Sequence, residues 1–304
     1  MRRPLVLLCS LLLLAGCGRN EEKSVTLYAA QDQEYVQPIL EKFTAETGVR
    51  VRVVYDSEAV KTVALANRLL AERTHPQCDV FWNNEELRTR QLAGQGVFRE
   101  TNGWTAFGAR SRRLVINTKL LTPDKAPKGL LELTNSIWKG RIALSYPLFG
   151  STATHFLALR QFWGEAGWQE WCRALARNKP YLLDGNSMVV RHVATGETWF
   201  GLTDSDDVAA MQKEGAPVMA LPLTEEFLIL PNSVAITRNS PHPANAEKLF
   251  EFLQGHSVQQ MLQKASALES TYEAGSKPGL EVNWNKLLDE LKVGTARLEE
   301  IFLR

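Results

Sequence analysis

Val25-Thr26-Leu27-Tyr28-Ala29-Ala30 opens a run that decides the fold. Residues 35–46 carry apolar side chains at helical spacing until Gly48 stops them. Residues 49–55 alternate as a strand, 59–73 return to a helical period, and Asp79-Val80-Phe81-Trp82 is a third short apolar strand. Short strands alternating with helices of this length predict an α/β fold, a mixed, mostly parallel sheet flanked by helices. The C-terminal ends of the three strands then bring Gln31-Asp32-Gln33, Asp56-Ser57-Glu58 and Asn83-Asn84-Glu85 to one edge. Open α/β sheets bind their ligands at that edge. The ligand-binding residues expected there are Gln31, Asp32, Gln33, Ser57, Glu58, Asn83, Asn84 and Glu85.

A second unit of the same kind follows. Leu114-Val115-Ile116-Asn117 leaves the first lobe as an extended crossover, and 122–127 is a proline-bearing connection. Arg141 to Ser145 reads as a strand, 151–163 as a helix opened by hydroxyls, and 198–203 and 218–221 as further strands. Residues 228–236 read as a second extended crossover, and helices over 244–253 and 258–264 follow. Two lobes joined by two extended strands make a hinge, with the ligand held between the lobes. The expected division is 25–113 plus 235–304 for lobe 1 and 114–234 for lobe 2.

The first residues read as an export signal. Arg2 and Arg3 form a positive region, and Leu5 to Ala15 an apolar stretch too short to span a bilayer as a permanent helix. Leu14-Ala15-Gly16-Cys17 closes it with the small residues and cysteine that lipoprotein signal peptidase requires. Residues 1–16 are thus expected to be removed, Cys17 to carry diacylglycerol, and 17–24 to act as a polar tether for an extracytoplasmic protein, periplasmic if the cell has two membranes. Of the other cysteines, Cys9 leaves with the signal, so Cys78 and Cys172 alone could pair.

With 35 basic and 34 acidic residues among 304, the net charge of +1 excludes a general attraction to nucleic acid or an anionic membrane. An apolar content of 44 % with 23 % charged residues is that of a soluble core, so membrane contact is expected through the lipid alone. No cofactor-binding or Cys/His zinc pattern is present, and the protein is expected to be a monomer.

Two stretches carry candidate chemistry. Gly150-Ser151-Thr152-Ala153-Thr154 lies where a strand turns into a helix, so free N–H groups and the hydroxyls of Ser151, Thr152 and Thr154 could converge on an anion. A simple helix cap is the plainer role for Ser151 or Thr152. Thr203-Asp204-Ser205-Asp206-Asp207 places three carboxylates in four residues, which repel one another until a cation, an arginine or ligand hydroxyls neutralise them. Asp204, nearest the strand end, and then Asp206 are the expected contacts. Arg110, Arg112 and Arg113 read as a solvated basic strand end, with pairing to these aspartates as the other reading. Asn186 and Ser187 are a turn or a ligand contact, and His155 reads as packed in a helix.

The motifs YAAQDQEY (28–35), YDSEA (55–59), DVFWNNE (79–85), PLFGSTATH (147–155), GNS (185–187), GLTDSDD (201–207) and LPNS (230–233) together resemble the ferric-iron branch of the extracellular solute-binding proteins, the receptors of ATP-driven importers. The resemblance implies a two-lobed periplasmic-binding-protein fold of type II, an ABC importer permease as partner, and ferric iron with a synergistic anion as cargo. It departs at the ligands. Ferric-binding relatives often place a histidine where Asp32 stands and a glutamate where Asn84 stands with Glu85 beside it, and their tyrosine pair falls near Ser205-Asp206. No Tyr-Tyr dipeptide occurs in this chain. Asp32, Glu85, Asp204 and Asp206 remain as hard oxygen ligands for a hard cation. An anion cradle facing carboxylates suits either a metal held with an oxyanion or an organic phosphate or carboxylate bearing hydroxyls, such as a sugar phosphate.

No G-x-S-x-G, S-x-x-K or H-E-x-x-H motif is present, and the five histidines are scattered. A transport receptor needs only a cleft, a hinge and a tether. A lipid-anchored envelope enzyme or assembly factor is the alternative class.

Overall fold

Strand β1 (Ser24–Ala29) lies between β2 (Arg50–Val54) and β3 (Val80–Asn83), parallel to both, with Leu27 aligned to Val53 on one side and Val80 on the other. The computed structural model describes residues 23–55, 61–223, 225–269 and 279–303. Cys17, Ser57 and Glu58 lie outside these. Because β1 and β3 are covered on both faces, their side chains are apolar nearly throughout. On one face α1 (Gln33–Thr47), α7 (Pro243–Gln254) and α8 (His256–Ala265) bury Val36, Phe43 and Leu249 against Leu27 and Trp82. On the other, α2 (Lys61–Ala71) and α3 (Glu86–Gly94) bury Leu65 and Leu92 against Tyr28 and Phe81.

The first crossover is much longer than the apolar run at 114–117 that predicts it, and the second nearly coincides with its expected range of 228–236. Strand β4 (Trp104–Asn117) and strand β9 (Ile229–Ile236) run antiparallel, and β9 pairs β3 on its other edge. From Arg112 onward β4 pairs instead with β7 (Phe200–Asp204), and from Leu114 also with β8 (Val218–Leu221). One strand therefore belongs to the sheets of both lobes. The second lobe continues through β5 (Ile142–Ser145) and β6 (Tyr181–Leu183), giving the order β2-β1-β3-β9-β4-β7-β5-β6. Helix α4 (Gly150–Arg177) covers one face, and α5 (Asn186–Thr195) and α6 (Ser205–Lys213) the other. Helix α4 breaks at Gly164, whose φ of 73° is left-handed, just after the expected end of the helix at 163. Gly201 admits α5 close to β7, since a Cβ there would lie 2.5 Å from Val189 Cγ1.

The last helix corrects the expected division. Helix α9 (Trp284–Leu303) packs on α4, burying Leu287, Leu291 and Leu298 in one cluster with Phe156, Leu157 and Trp171. Gly294 lets the two helices touch, for a Cβ at that position would stand 2.3 Å from Leu157 Cδ2. Residues 235–304 therefore do not all belong to lobe 1: α7 and α8 do, and α9 completes the core of lobe 2. Cys78 and Cys172 are free thiols buried in separate clusters, so no bridge joins them. Among the described residues no helix is long and apolar enough to cross a membrane.

Candidate functional site

A cleft of about 60 Å³ lies where the strand ends of both lobes meet, with Asp32 and Asn84 on the first-lobe side and Gly150, Ser151 and Asn186 on the other. Four aspartates (Asp32, Asp204, Asp206, Asp207) and Arg110 line it. Several second-lobe residues that line it lie at the start of a helix: Gly150 and Ser151 begin α4, Asn186 begins α5, and Asp204 ends β7 just before α6. Backbone N–H groups without intrahelical partners thus point toward one space.

A buried charge network holds this wall. Arg112, 0 % exposed, donates through Nη1 to Asp204 Oδ1 at 2.6 Å and to Asn186 Oδ1 at 3.1 Å. Ser151 Oγ donates to Asp204 Oδ2 at 2.7 Å, and Asn186 Nδ2 donates to the same oxygen at 3.0 Å. Arg110 Nη2 reaches Asp204 Oδ2 at 3.1 Å, and its Nη1 reaches Asp206 Oδ2 at 2.7 Å. Arg110 and Arg112 are therefore not a solvated strand end. The register Arg112↔Asp204 between β4 and β7 presses them against the aspartates. Arg113, partly exposed, pairs instead with Glu269 at 2.6 Å.

The network splits the carboxylates. Burial raises Asp204, but Arg112 and Arg110 outweigh it and hold its pKa below the usual carboxylate range. Burial pushes Asp206 up to about 6, with Arg110 opposing and Asp204 and Asp32 adding repulsion. Asp207 is also raised, by burial and then by Asp206 and Asp204. The three offer oxygens within 4.8 Å of one another. Tyr35 is raised as well, by burial and then by Asp206. With Arg110 and Arg112 against four aspartates, carboxyl groups outnumber guanidinium groups in and beside the cleft.

Several expected contacts lie elsewhere. Glu85 is the N-cap of α3: Oε2 accepts from the Leu87 N–H at 2.7 Å and Oε1 from the Arg88 N–H at 3.2 Å. It is 1 % exposed and is no ligand in the cleft, because a carboxylate ending β3 meets the orphan N–H groups of the next helix first. Thr154 turns from the cleft to donate to Glu85 Oε2 at 3.3 Å and to the Gly150 carbonyl at 3.2 Å. Thr152 bonds the Ser145 hydroxyl and Asn186 Oδ1 within the wall. Asn83 donates to the Glu85 carbonyl and to Thr89 Oγ1 at 3.2 Å, beneath α3. Gln31, Gln33 and Ser187 do not line the cleft, whereas Asp32, Asn84, Ser151, Asn186, Asp204 and Asp206 do. His155 is buried with Nε2 2.7 Å from the Glu226 carbonyl, and burial and then Arg112 lower its pKa to about 3. Arg110, Tyr146 and Asp207 were missed as lining residues. For Arg110 the signal available was its place inside a long strand paired to the aspartate-bearing one.

Comparison with known proteins gives the same frame. The family model for bacterial extracellular solute-binding proteins matches residues 25–265. The chain is 26 % identical to a protein of Serratia marcescens named Fe(3+)-binding periplasmic protein, over 97 % of this chain and 93 % of that one. It is likewise 26 % identical to the major ferric iron-binding protein of Neisseria gonorrhoeae, over 78 % of each. Iron-bound HitA of Pseudomonas aeruginosa superposes with a TM-score of 0.79 at 19 % identity, over 91 % of this chain and 99 % of that one. AfuA of Actinobacillus pleuropneumoniae, solved with fructose-6-phosphate, gives 0.78 at 18 %, over 92 % and 98 %. These structures share the two-lobed α/β fold, and with the family match across both lobes the chain belongs to the bacterial extracellular solute-binding proteins.

Proposed function

We propose that the protein is the lipid-anchored extracytoplasmic receptor of an ABC importer, and that its cargo is ferric iron held with an oxyanion. The observation that carries this is the cleft's charge: four aspartates against two arginines, facing the N-termini of α4 and α5. The carboxylate excess favours a hard cation and the helix starts favour an anion, so a metal with its counter-anion suits both. The names of the Serratia and Neisseria relatives support the same cargo. Asp207, which makes no ion pair with Arg110 or Arg112, and Asp32 would supply oxygen ligands beside Asp206, while Ser151 and Asn186 would hold the oxyanion. Glu85 is withdrawn from the metal set by its capping role.

A second reading is a hydroxylated organic phosphate. It is supported by the engagement of Asp204 and Asp206 with arginine, and by the AfuA structure carrying a sugar phosphate. Calorimetry separates the two. Ferric ion with phosphate should bind wild type and lose at least tenfold in affinity on Asp207→Asn; fructose 6-phosphate binding unaffected by chelators, with ferric phosphate inert, would select the second reading. Turnover of a bound candidate would instead indicate an envelope enzyme.

The anchor rests on Leu14-Ala15-Gly16-Cys17. Cys17→Ser should leave an unlipidated precursor, and processing with fatty-acid labelling of that variant would reject it. The permease is the expected partner, and the site is periplasmic if the cell has two membranes.

A further inference from the structure

Helix α3 belongs to two cores at once. Its last turn is rooted in the first lobe, where Leu92 is buried with Leu65 and Phe81. Its first turn enters the second lobe: Leu87, 1 % exposed, sits in the cluster that holds Phe156 and Leu298. Polar contacts flank that leucine. Thr154 of α4 donates across the lobes to Oε2 of Glu85, the cap of α3, at 3.3 Å. One turn further on, the Arg90 guanidinium lies between two indoles, with Cζ 5.1 Å from the Trp104 ring centroid and 5.0 Å from that of Trp284. Trp104 packs against the first-lobe cluster, and Trp284, the first residue of α9, against the second-lobe one. Glu86, 3 % exposed, accepts from Arg90 Nε at 2.7 Å and so holds the guanidinium in place between the rings.

A helix of nine residues is about 14 Å long and moves as one body. Because its last turn is rooted in the first lobe, rotating the lobes apart must draw Leu87 out of the second-lobe cluster and part Arg90 from Trp284. The withdrawn leucine exposes apolar surface, and the guanidinium gives up a cation–π contact. Asn84, immediately before the cap, lines the cleft, so α3 begins where the cleft meets the first lobe. We propose that α3 is a clasp: docked on α4 and α9 it holds the lobes closed before any cargo is present, and the cleft opens only as the clasp releases. An empty receptor built this way is mainly closed and admits cargo through a minor open population. The clasp acts on the lobes themselves, so it stands whichever cargo the cleft takes.

Double electron–electron resonance on the full chain in detergent tests this. Spin labels are attached through a ketone-bearing residue placed at Asn67 in α2 and at Glu170 in α4, both exposed, which leaves every thiol untouched. Cargo is first removed by unfolding in urea, dialysis and refolding, and no probe is added. Wild type should show chiefly the distance of the closed structure. Leu87→Ala, Arg90→Met and Trp284→Ala should each add a longer distance and lower the ratio of closed to open molecules at least tenfold. Arg141→Met, which removes a guanidinium stacked on Trp199 within the second lobe, should leave the distribution unchanged. Should Leu87→Ala fail to fold, Arg90→Met, whose side chain is 31 % exposed, carries the test. A stripped wild type that is mainly open, or the same distribution in wild type and the clasp variants, would overturn the clasp, the second result making α3 a permanent pivot. Either outcome leaves the receptor reading standing, since no cargo is used; that reading fails separately, in calorimetry, if neither ferric phosphate nor fructose 6-phosphate binds.

Discussion

The two lobes on either side of the cleft treat buried polar groups in opposite ways. On the second lobe Arg112, Asp204, Ser151 and Asn186 bond one another within 3.1 Å, with Arg112 Nε left over. On the first, Gln31, Trp82 and Asn232 are just as buried, and their amides and indole N–H bond nothing among the described residues. A bonded network holds its shape before cargo arrives, whereas a buried polar group without a partner lowers the stability of the fold. The charged wall of the second lobe is thus prepared in advance.

The largest effect should come from the prepared wall. Arg112→Met removes the main partner of a buried carboxylate and should lower stability by about 3–5 kcal/mol, read from urea unfolding. Asn232→Leu in the first lobe should stay within about 1 kcal/mol of wild type. Similar losses for both would erase the contrast.

Acid should weaken the prepared wall in a defined window. His155 has a folded pKa near 3, below its ordinary value near 6.5, so the unfolded chain takes up a proton first and stability falls as pH drops below about 6.5. The loss is up to about 1.4 kcal/mol per pH unit, and His155→Leu should flatten it. Asp204, held low by its arginines, adds to the loss only below its ordinary value of 3.8. Asp206 has the opposite sign: raised to about 6, it contributes stability that is complete below 3.8 and lost as pH rises through 6. Asp206→Asn should therefore gain on wild type between pH 4 and 7. Unfolding curves at several pH values with both variants resolve the two slopes.

Gly201→Ala should cost about 1–3 kcal/mol, because its Cβ has only 2.5 Å to Val189 and must displace α5. As α5 carries Asn186 into the network, binding should weaken too, which thermal unfolding and calorimetry on the same variant would separate. The smallest effect is expected from Glu85→Ala, about 0.5–2 kcal/mol for a lost cap. Its affinity for ferric phosphate should change less than twofold, and a large loss would return Glu85 to the metal set.

The strand-helix alternation of the first lobe was legible because each element reports its own period: 35–46 and Gly48 predict α1 and its left-handed Gly48 cap nearly to the residue. Helix α9 has an apolar stripe of the same kind at 287, 291 and 298, but its place in lobe 2 depends on packing against α4, which its own period does not report. The site was less legible, for a physical reason. Glu85 has the composition of a ligand and the position of a cap, and only the start of α3 at Glu86 decides between them. The pairing of Arg110 and Arg112 with Asp206 and Asp204 depends on contacts across 96 and 92 residues of chain, which no local pattern encodes. The unpaired amides are subtler still, since glutamine and asparagine beside a strand ordinarily face water.

Strand β4 has one more consequence. It bonds to β9 along its first half and to β7 and β8 along its second, so along this crossover the lobes are joined by paired strand and not by slack chain. The register shifts once within the β9-paired half, at Gly108, whose φ is 58° and where a Cβ would meet Leu268 at 2.3 Å. Relative rotation of the lobes must then be taken up as twist of a shared ribbon, as in a torsion bar rather than a door on loose pins. A ribbon can twist in this way without losing its hydrogen bonds, and Gly108 is the irregular step within it.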